Sequence, residues 1–302
     1  MRTKHQKNAL WTGKRGSAYA GVQAYAYAPD MFHVLSRTLL ILLLPFIAMT
    51  GWMLMFEDQY IYFPSQDVLL TPADVGLSFT EHQFRTQDDV GLHSWWVPGS
   101  GSRYTILHFH GNAGNISHRL HLHQRWHEMG LGVFAVDYRG YGKSGGDISE
   151  DGLYEDARAS WRYLTSELGV PASQIIIAGR SMGCAVATEL AGKVRPAGIV
   201  LETPFTNVPD LARAIYPWLP VSFLIRTKLE TLARVGQLHL PMLLISAADD
   251  EIVPAGMAEK IFSEANEPKT RVALPGGHNG FDTVSEKAYV TAWKAWLATL
   301  PE

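Results

Sequence analysis

Cysteine is the residue that this sequence most nearly lacks. The chain of 302 residues has one, Cys184, which excludes an intrachain disulfide. Charged residues are also sparse, at 18%, and the formal net charge at pH 7 is −3. A nucleic-acid-binding protein would carry a basic face, which this charge balance does not provide. With 47% hydrophobic residues, the composition is that of a globular protein with a sizeable core.

One long segment has no charge at all. Residues 38–56 are an apolar run of 19, and a helix of that length reaches about 28 Å, close to the hydrocarbon thickness of a bilayer. We interpret the run as a transmembrane anchor, because no clear signal-peptidase site follows it. The anchor separates a basic tail (1–37), whose first 30 residues look disordered, from a domain at 57–302. Met31 is an alternative translation start.

Basic residues are absent between the anchor and Arg85, where five acids occur. The tail has six Lys or Arg and one acid, which leaves a net charge of −8 for residues 38–302. The positive-inside rule therefore predicts a cytoplasmic tail and an extracytoplasmic domain, on the periplasmic side of a bacterial inner membrane. Such an acidic domain should prefer neutral or zwitterionic ligands to anionic ones.

Strand-like and helix-like segments alternate after the anchor. Strands are predicted at 92–97, 104–110, 132–138, 174–179, 198–203, 241–247 and 271–276. Helices are predicted near 116–129, 150–167, 182–194, 255–265 and 284–299. Most of the strands are rich in Val, Ile and Leu with little alternation, as in strands buried on both faces. The order predicts a single α/β domain with a mostly parallel central sheet and helices on both faces.

One connection, at about 204–238, is too long for a single crossover helix. It holds an apolar, Pro-flanked cluster of Tyr216, Trp218, Leu219 and Phe223. Two interpretations are open: a helical excursion that only covers the sheet, or a small helical cap over a pocket. If it is a cap, these side chains should line a site for an acyl chain.

The sharpest motif is GRSMG at 179–183, between a predicted strand and a predicted helix. G-x-S-x-G in that context is a nucleophile elbow, in which the serine occupies the apex of a turn too tight for side chains two residues away. The amides at the start of the helix stabilise developing negative charge. The motif predicts Ser181 as a nucleophile.

A serine hydroxyl needs a base, and after this elbow an acid and then a histidine should follow, each just past a later strand. His278 directly follows a predicted strand, whereas His239, the other histidine beyond the elbow, precedes one. Three acids follow another strand, namely Asp249, Asp250 and Glu251. The order of the elements alone does not choose among them.

With these partners the sequence resembles the α/β-hydrolase superfamily, specifically its membrane-anchored branch of small serine hydrolases related to serine aminopeptidases. The resemblance covers about residues 57–299 and rests on QYIYFP, FHGNAGN, DYRGYGKSGG, AGRSMG and PMLLISAADDEIVP. It implies an α/β-hydrolase fold and selects Asp250, which precedes x-x-Val-Pro as the family's acid does. Cys184 stands where relatives usually have glycine, and Ser246-Ala247 replaces a common His-Gly, which concerns substrate range more than catalysis.

The HGNAGN segment predicts half of an oxyanion hole, which needs two backbone N–H groups aimed at one oxygen. One should come from Met182, the residue after the nucleophile, and the other from Asn112, with Ala113 as a near alternative. Gly111 and Gly114 allow this backbone to approach closely.

Two other patterns resemble binding sites, although neither is expected to bind a ligand. Gly140, Gly142 and Gly145 match the dinucleotide spacing G-x-G-x-x-G, but the next helix begins only near residue 149, so the glycines shape a turn and no nucleotide is expected.

The second such pattern is a cluster of histidines that resembles a metal site. His118 and His121 share one helix face while His123 and His127 share nearly the opposite one, so they cannot converge on one metal. We expect a histidine-rich surface helix and no metal.

These observations predict hydrolysis of carboxylic esters or thioesters by a Ser181–Asp250–His278 triad, without metal or organic cofactor. The expected partners are a small acyl-ester or lipid-like substrate and the bilayer, not nucleic acid. A peptidase or amidase using the same triad is the enzymatic alternative. A catalytically silent membrane scaffold is the alternative from another class.

Overall fold

A computed structural model of the protein describes residues 18–218 and 221–301. The first helix, α1, runs from Ala18 to Met55, so the part of the predicted tail from residue 18 onwards is helical rather than disordered. Its apolar part, Met31–Met55, spans 25 residues, or about 37 Å, and is long enough to cross a membrane. Residues 1–17 of the predicted tail and Leu219 lie outside the described residues. The chain from Met53 onwards forms a separate compact unit.

The described part of this second unit contains ten strands. They are β1 (Phe63–Pro64), β2 (Thr80–Arg85), β3 (Gly91–Val97), β4 (Thr105–Phe109), β5 (Ala113–Gly114), β6 (Gly132–Asp137), β7 (Ile175–Arg180), β8 (Gly198–Glu202), β9 (Met242–Ala247) and β10 (Lys269–Leu274). β1 and β5 form a small parallel ladder. The other eight strands form one sheet in the order β10-β9-β8-β7-β4-β6-β3-β2.

The sheet is mostly parallel, as predicted. The ladders between β6, β4, β7, β8, β9 and β10 are parallel, while β2–β3 and β3–β6 are antiparallel. All seven predicted strands are present. The prediction missed β2, an edge strand whose residues are exposed or half-buried and whose sequence, TEHQFR, is largely polar. Such a strand has little hydrophobic signal to detect.

Helices cover both faces. They are α2 (Glu57–Ile61), α3 (Leu120–Glu128), α4 (Glu150–Arg162, continued by a π turn at Tyr163–Glu167), α5 (Met182–Ala191), α6 (Val208–Ile215), α7 (Val221–Leu224), α8 (Leu232–Val235), α9 (Ala255–Glu264), α10 (Phe281–Val284) and α11 (Glu286–Leu297). Alternate residues of one strand enter different cores: Ile175 and Ile177 belong to one cluster, and Ile176 to the other. Because β7, β9 and β10 point the same way, the loops at their carboxyl ends meet at one edge of the sheet.

Candidate active site

Ser181 lies on a strained turn between β7 and α5. Its φ of 52° and ψ of −115° are rare for a residue with a side chain, and its N–H donates to the carbonyl oxygen of Glu202 at 2.8 Å. A Cβ on Gly179 would collide with the carbonyl of Gly183, and one on Gly183 would collide with the carbonyl of Phe109. Both glycines of the motif are therefore required by backbone contacts, as the sequence indicated.

His278 and Asp250, which follow β10 and β9, form a hydrogen-bonded pair. Nδ1 of His278 lies 2.8 Å from Oδ2 of Asp250, and both side chains are about 5% exposed. Oδ1 of Asp250 accepts the N–H groups of Ile252 and Val253 at 3.0 and 2.7 Å. Burial raises the pKa of Asp250, but the hydrogen bonds from His278 and from these amides outweigh burial and leave the pKa below its ordinary value.

The two neighbouring acids bind elsewhere. Oδ2 of Asp249 accepts the N–H of Gly276 at 3.1 Å. Oε2 of Glu251 accepts the backbone N–H of His278 at 3.0 Å, so Glu251 positions the histidine loop without touching the imidazole. Of the three acids that the sequence offered, the structure brings Asp250 to the ring. The role of Glu251 was missed because a contact 27 residues away has no local signal.

Hydrogen bonds to both the backbone and the side chain of Asn112 fix the loop that carries it. The carbonyl oxygen of Asn112 accepts the N–H of Phe63 at 3.0 Å and the hydroxyl of Tyr141 at 2.8 Å, and its side chain donates to the carbonyl of Ile61 at 2.9 Å. Met182 is the first residue of α5, so its N–H has no acceptor within the helix. Asn112 and Met182 line the same pocket as Ser181 and His278.

The glycine-rich loop at 137–146 braces the Asn112 loop. Besides the bond from Tyr141, the hydroxyl of Tyr138 donates to the carbonyl of His110 at 3.0 Å. Gly142 has a φ of 51°, and a Cβ there would collide with the carboxylate of Asp137. The following helix begins at Glu150, too far on for these glycines to open it.

Arg180, inside the elbow motif, joins the elbow to the histidine loop through bonds that the sequence analysis missed. Its Nη2 donates to Oδ1 of Asp282 at 2.9 Å and to the carbonyl of His278 at 3.4 Å. Asp282 also accepts from Arg125 at 2.9 Å and lies 3.2 Å from Nε2 of His121. Burial raises the pKa of Asp282, but His121 and Arg180 outweigh burial and hold it well below its usual range.

The pocket that Ser181 and His278 line has a volume of about 440 Å³, a size ordinary for a small-molecule site. Apolar walls come from the insertion at 204–238, which supplies Val208, Leu211, Ile215 and Ile225. Of the two interpretations of the insertion, the structure therefore favours a cap over a pocket.

The predicted aromatic lining of the cap was wrong in part. Tyr216 lines the cavity, but Trp218 and Phe223 do not, and they are 63% and 78% exposed. Phe223 instead lies against the guanidinium of Arg213, with 5.6 Å between the guanidinium carbon and the ring centre. Proline positions alone do not tell which side of a short cap helix faces inward.

The histidine-rich helix was also mispredicted in part. His123 is buried, and its Nε2 lies 3.2 Å from Nδ1 of His108 beneath the helix. Burial, together with the charge of His121, lowers the pKa of His123 to about 3. Within residues 18–218 and 221–301, no group of three or more His, Cys, Asp or Glu side chains is arranged to hold a metal ion.

Comparisons with known proteins agree with this architecture. Residues 100–229 match the family described as Serine aminopeptidase, S33. An uncharacterized protein of Mycobacterium tuberculosis is 37% identical over 244 residues, covering 80% of this chain and 87% of the relative. Alpha/beta hydrolase domain-containing protein WAV2 of Arabidopsis thaliana is 30% identical, covering 76% and 83%.

Among solved structures, the esterase Pf2001 of Pyrococcus furiosus has a TM-score of 0.68 and covers 80% of this chain and 98% of its own. At 21% identity this similarity shows a shared fold. The relatives, the sheet order and the elbow agree with the resemblance found in the sequence. The chain belongs to the α/β-hydrolase family.

Proposed function

We propose that this hydrolase cleaves carboxylic esters or thioesters through an acyl-enzyme formed on Ser181. One observation carries the proposal: Ser181 occupies a strained elbow in the pocket that also contains His278, whose ring is held at 2.8 Å by Asp250. A serine and a histidine that is itself oriented by a carboxylate are what acyl transfer needs. No metal, nucleotide or organic cofactor takes part.

The reaction starts when Oγ of Ser181 attacks the acyl carbonyl and His278 takes the hydroxyl proton. Asp250 accepts a hydrogen bond from Nδ1–H, which leaves Nε2 as the base and stabilises the imidazolium that forms. The N–H groups of Met182 and Asn112 bind the oxyanion. His278 then protonates the leaving alcohol or thiol, and a water molecule, activated by the same ring, releases the acid.

Peptide or amide hydrolysis is the second candidate, because the matched family is described as a serine aminopeptidase. An aminopeptidase needs a free carboxylate for the ammonium group of its substrate. Glu57 is the acid among the described lining residues, and it accepts bonds from Thr227 N and Oγ1, both at 2.8 Å, and from Arg226 N at 3.2 Å. Its oxygens are thus engaged, which favours the ester.

A panel of p-nitrophenyl esters, a thioester and an aminoacyl p-nitroanilide tests the function. We expect ester and thioester turnover that Ser181→Ala lowers by several orders of magnitude. Ser173→Ala, an exposed serine outside this pocket, should behave as wild type. Preferred cleavage of the anilide would favour the peptidase, and no turnover of any compound would favour the silent scaffold.

The apolar cap and the membrane-length helix point to an acyl or lipid-like substrate taken at a bilayer. We propose that Met31–Met55 crosses the membrane with the basic tail in the cytoplasm and the hydrolase domain on the periplasmic side of a bacterial inner membrane. An alkaline phosphatase fused after Glu302 should be active in a bacterial host. A fluorescent-protein fusion that glows there instead would reverse the orientation.

A further inference from the structure

Arg119 is a cation in the catalytic pocket that the mechanism does not use. It ends the 3₁₀ turn Ile116–Arg119, just after the Asn112 loop, and lines the same cavity as Ser181. Its Nη2 donates to the carbonyl of Ala113 at 2.5 Å. Its Nε is buried and has no hydrogen-bond partner among the residues that the structure describes.

The other charged groups in the lining are neutralised. Arg180 is paired with Asp282 at 2.9 Å, and Glu57 lies 3.5 Å from Nε of Arg226. No carboxylate of the described residues lies within 4.0 Å of the guanidinium of Arg119. Burial and the nearby charge of Arg180 lower the pKa of Arg119 to about 10, so it remains cationic at neutral pH. The charge of Asp282 also acts on Arg119, but its carboxylate is already bonded to Arg180 and Arg125, so Arg119 has no counter-ion of its own. A largely buried charge in that position is costly, which indicates that a ligand supplies the anion.

We propose that Arg119 binds an anionic oxygen group of the acyl substrate, a phosphate or a carboxylate, close to the scissile carbonyl. A guanidinium presents planar donors that fit such oxygens in pairs. Its bond to Ala113, next to Asn112, places it beside the loop that would hold the oxyanion. With the apolar cap this defines the substrate class as anionic amphiphiles, and it rests on the proposed ester hydrolysis.

This inference reverses the preference expected from net charge. Of the charges that make up the −8 of residues 38–302, those at the solvated surface are screened by salt beyond about 10 Å. A cation inside the pocket acts on the substrate through a medium of lower dielectric constant, so its effect is larger. The charge of Arg119 should therefore affect the substrate preference more than the net charge of the domain does.

The test compares substrates matched in acyl chain, using the full chain in a neutral detergent. The phosphate pair is 1-acylglycerol 3-phosphate and 1-acylglycerol, and the carboxylate pair is p-nitrophenyl hydrogen adipate and p-nitrophenyl hexanoate. In at least one pair, the ratio of kcat/KM for the anionic over the neutral substrate should fall about 10- to 100-fold in Arg119→Gln. Arg119→Lys should retain part of the ratio, and Arg85→Gln, on an exposed arginine paired with Asp89, should leave it unchanged. The pair that responds identifies the anion.

Equal losses on both members of each pair would overturn the proposal, because Arg119 would then only hold the Ala113 carbonyl. Binding to Ser181→Ala, measured by calorimetry, separates this inference from the proposed reaction. That variant should bind an anionic amphiphile more tightly than its neutral partner, and adding Arg119→Gln should abolish the difference. Equal binding of the two would refute the role of Arg119 even if the protein cleaves esters.

Discussion

The loops at the carboxyl ends of the strands and the cap border the same pocket, but different interactions hold them in place. At the strand ends, hydrogen bonds fix the polar side chains: Asp250 accepts bonds from two backbone amides, and Arg180 donates to Asp282 at 2.9 Å. The described part of the cap contains one eight-residue helix and two helices of four residues, with side chains such as Phe223 exposed. This difference indicates that the proposed chemistry would depend on residues fixed at the strand ends, whereas selectivity would depend on cap side chains that can change at little cost to the fold.

The largest expected effect concerns the strand ends, where mutation should distinguish the adjacent acids Asp250 and Asp249. Asp250→Asn should lower kcat/KM for a p-nitrophenyl ester by about 10⁴, because an amide at this position favours the wrong histidine tautomer. Asp249→Asn should stay within about threefold, since an amide oxygen can still accept the N–H of Gly276. The opposite ranking would mean that Asp249 is the triad acid.

The second prediction tests whether the stability of the folded protein depends on the buried ion pair between Asp282 and Arg180. Asp282→Asn should destabilise the protein by about 3 kcal/mol at pH 7, because it leaves the charge of Arg180 without its partner. The folded-state pKa of Asp282 is depressed, so its contribution is fully present above the unfolded pKa, near 4, and is lost as pH falls through the folded value. Denaturant unfolding followed by tryptophan fluorescence should therefore show the gap to wild type shrinking below about pH 5.

Asp89→Asn is the matched control for that measurement. Asp89 pairs with Arg85 at 2.9 Å, but both side chains are largely exposed, so the change should cost well under about 1 kcal/mol. A stability gap for Asp282→Asn that is equally small, or that grows as the pH falls, would contradict the role assigned to this pair.

The smallest expected effects of mutation lie in the cap. kcat/KM should rise from acetyl to octanoyl esters, by up to about fourfold per CH₂. Leu211→Ala, in the wall of the cavity, should lower the octanoyl value several-fold and leave the acetyl value nearly unchanged. Phe223→Ala and Trp218→Ala, which remove exposed aromatic rings, should leave the profile as it is. A flat profile in the wild type would reject the acyl-binding role of the cap.

Much of the fold could be predicted because its strands are short, continuous apolar runs. The segment IIIAG before Ser181 is buried throughout, and burial of that kind leaves a clear pattern in the sequence. The elbow could also be placed, since its two glycines are dictated by contacts within a few residues or with the adjacent strand. Asp250 could be predicted as the triad acid only from the resemblance to the family, because the local sequence does not distinguish it from the two neighbouring acids.

The remaining features depend on contacts between distant segments. Asp282 meets Arg180 across 102 residues, and Glu251 meets the His278 amide across 27. His123 is buried because it packs on His108 of β4, although helical spacing made its face look exposed. The inward and outward sides of α6 and α7 are likewise set by the pocket beneath them, which no local periodicity over four to eight residues can reveal.

The most direct test of the proposed chemistry is the site of reaction with a fluorophosphonate probe, read by peptide mass spectrometry on the full chain. We expect the phosphonyl adduct on Ser181, absent in Ser181→Ala, and strongly slowed in His278→Ala because the base is missing. An adduct on another serine, or labelling that persists in Ser181→Ala, would contradict the assignment of Ser181 as the nucleophile.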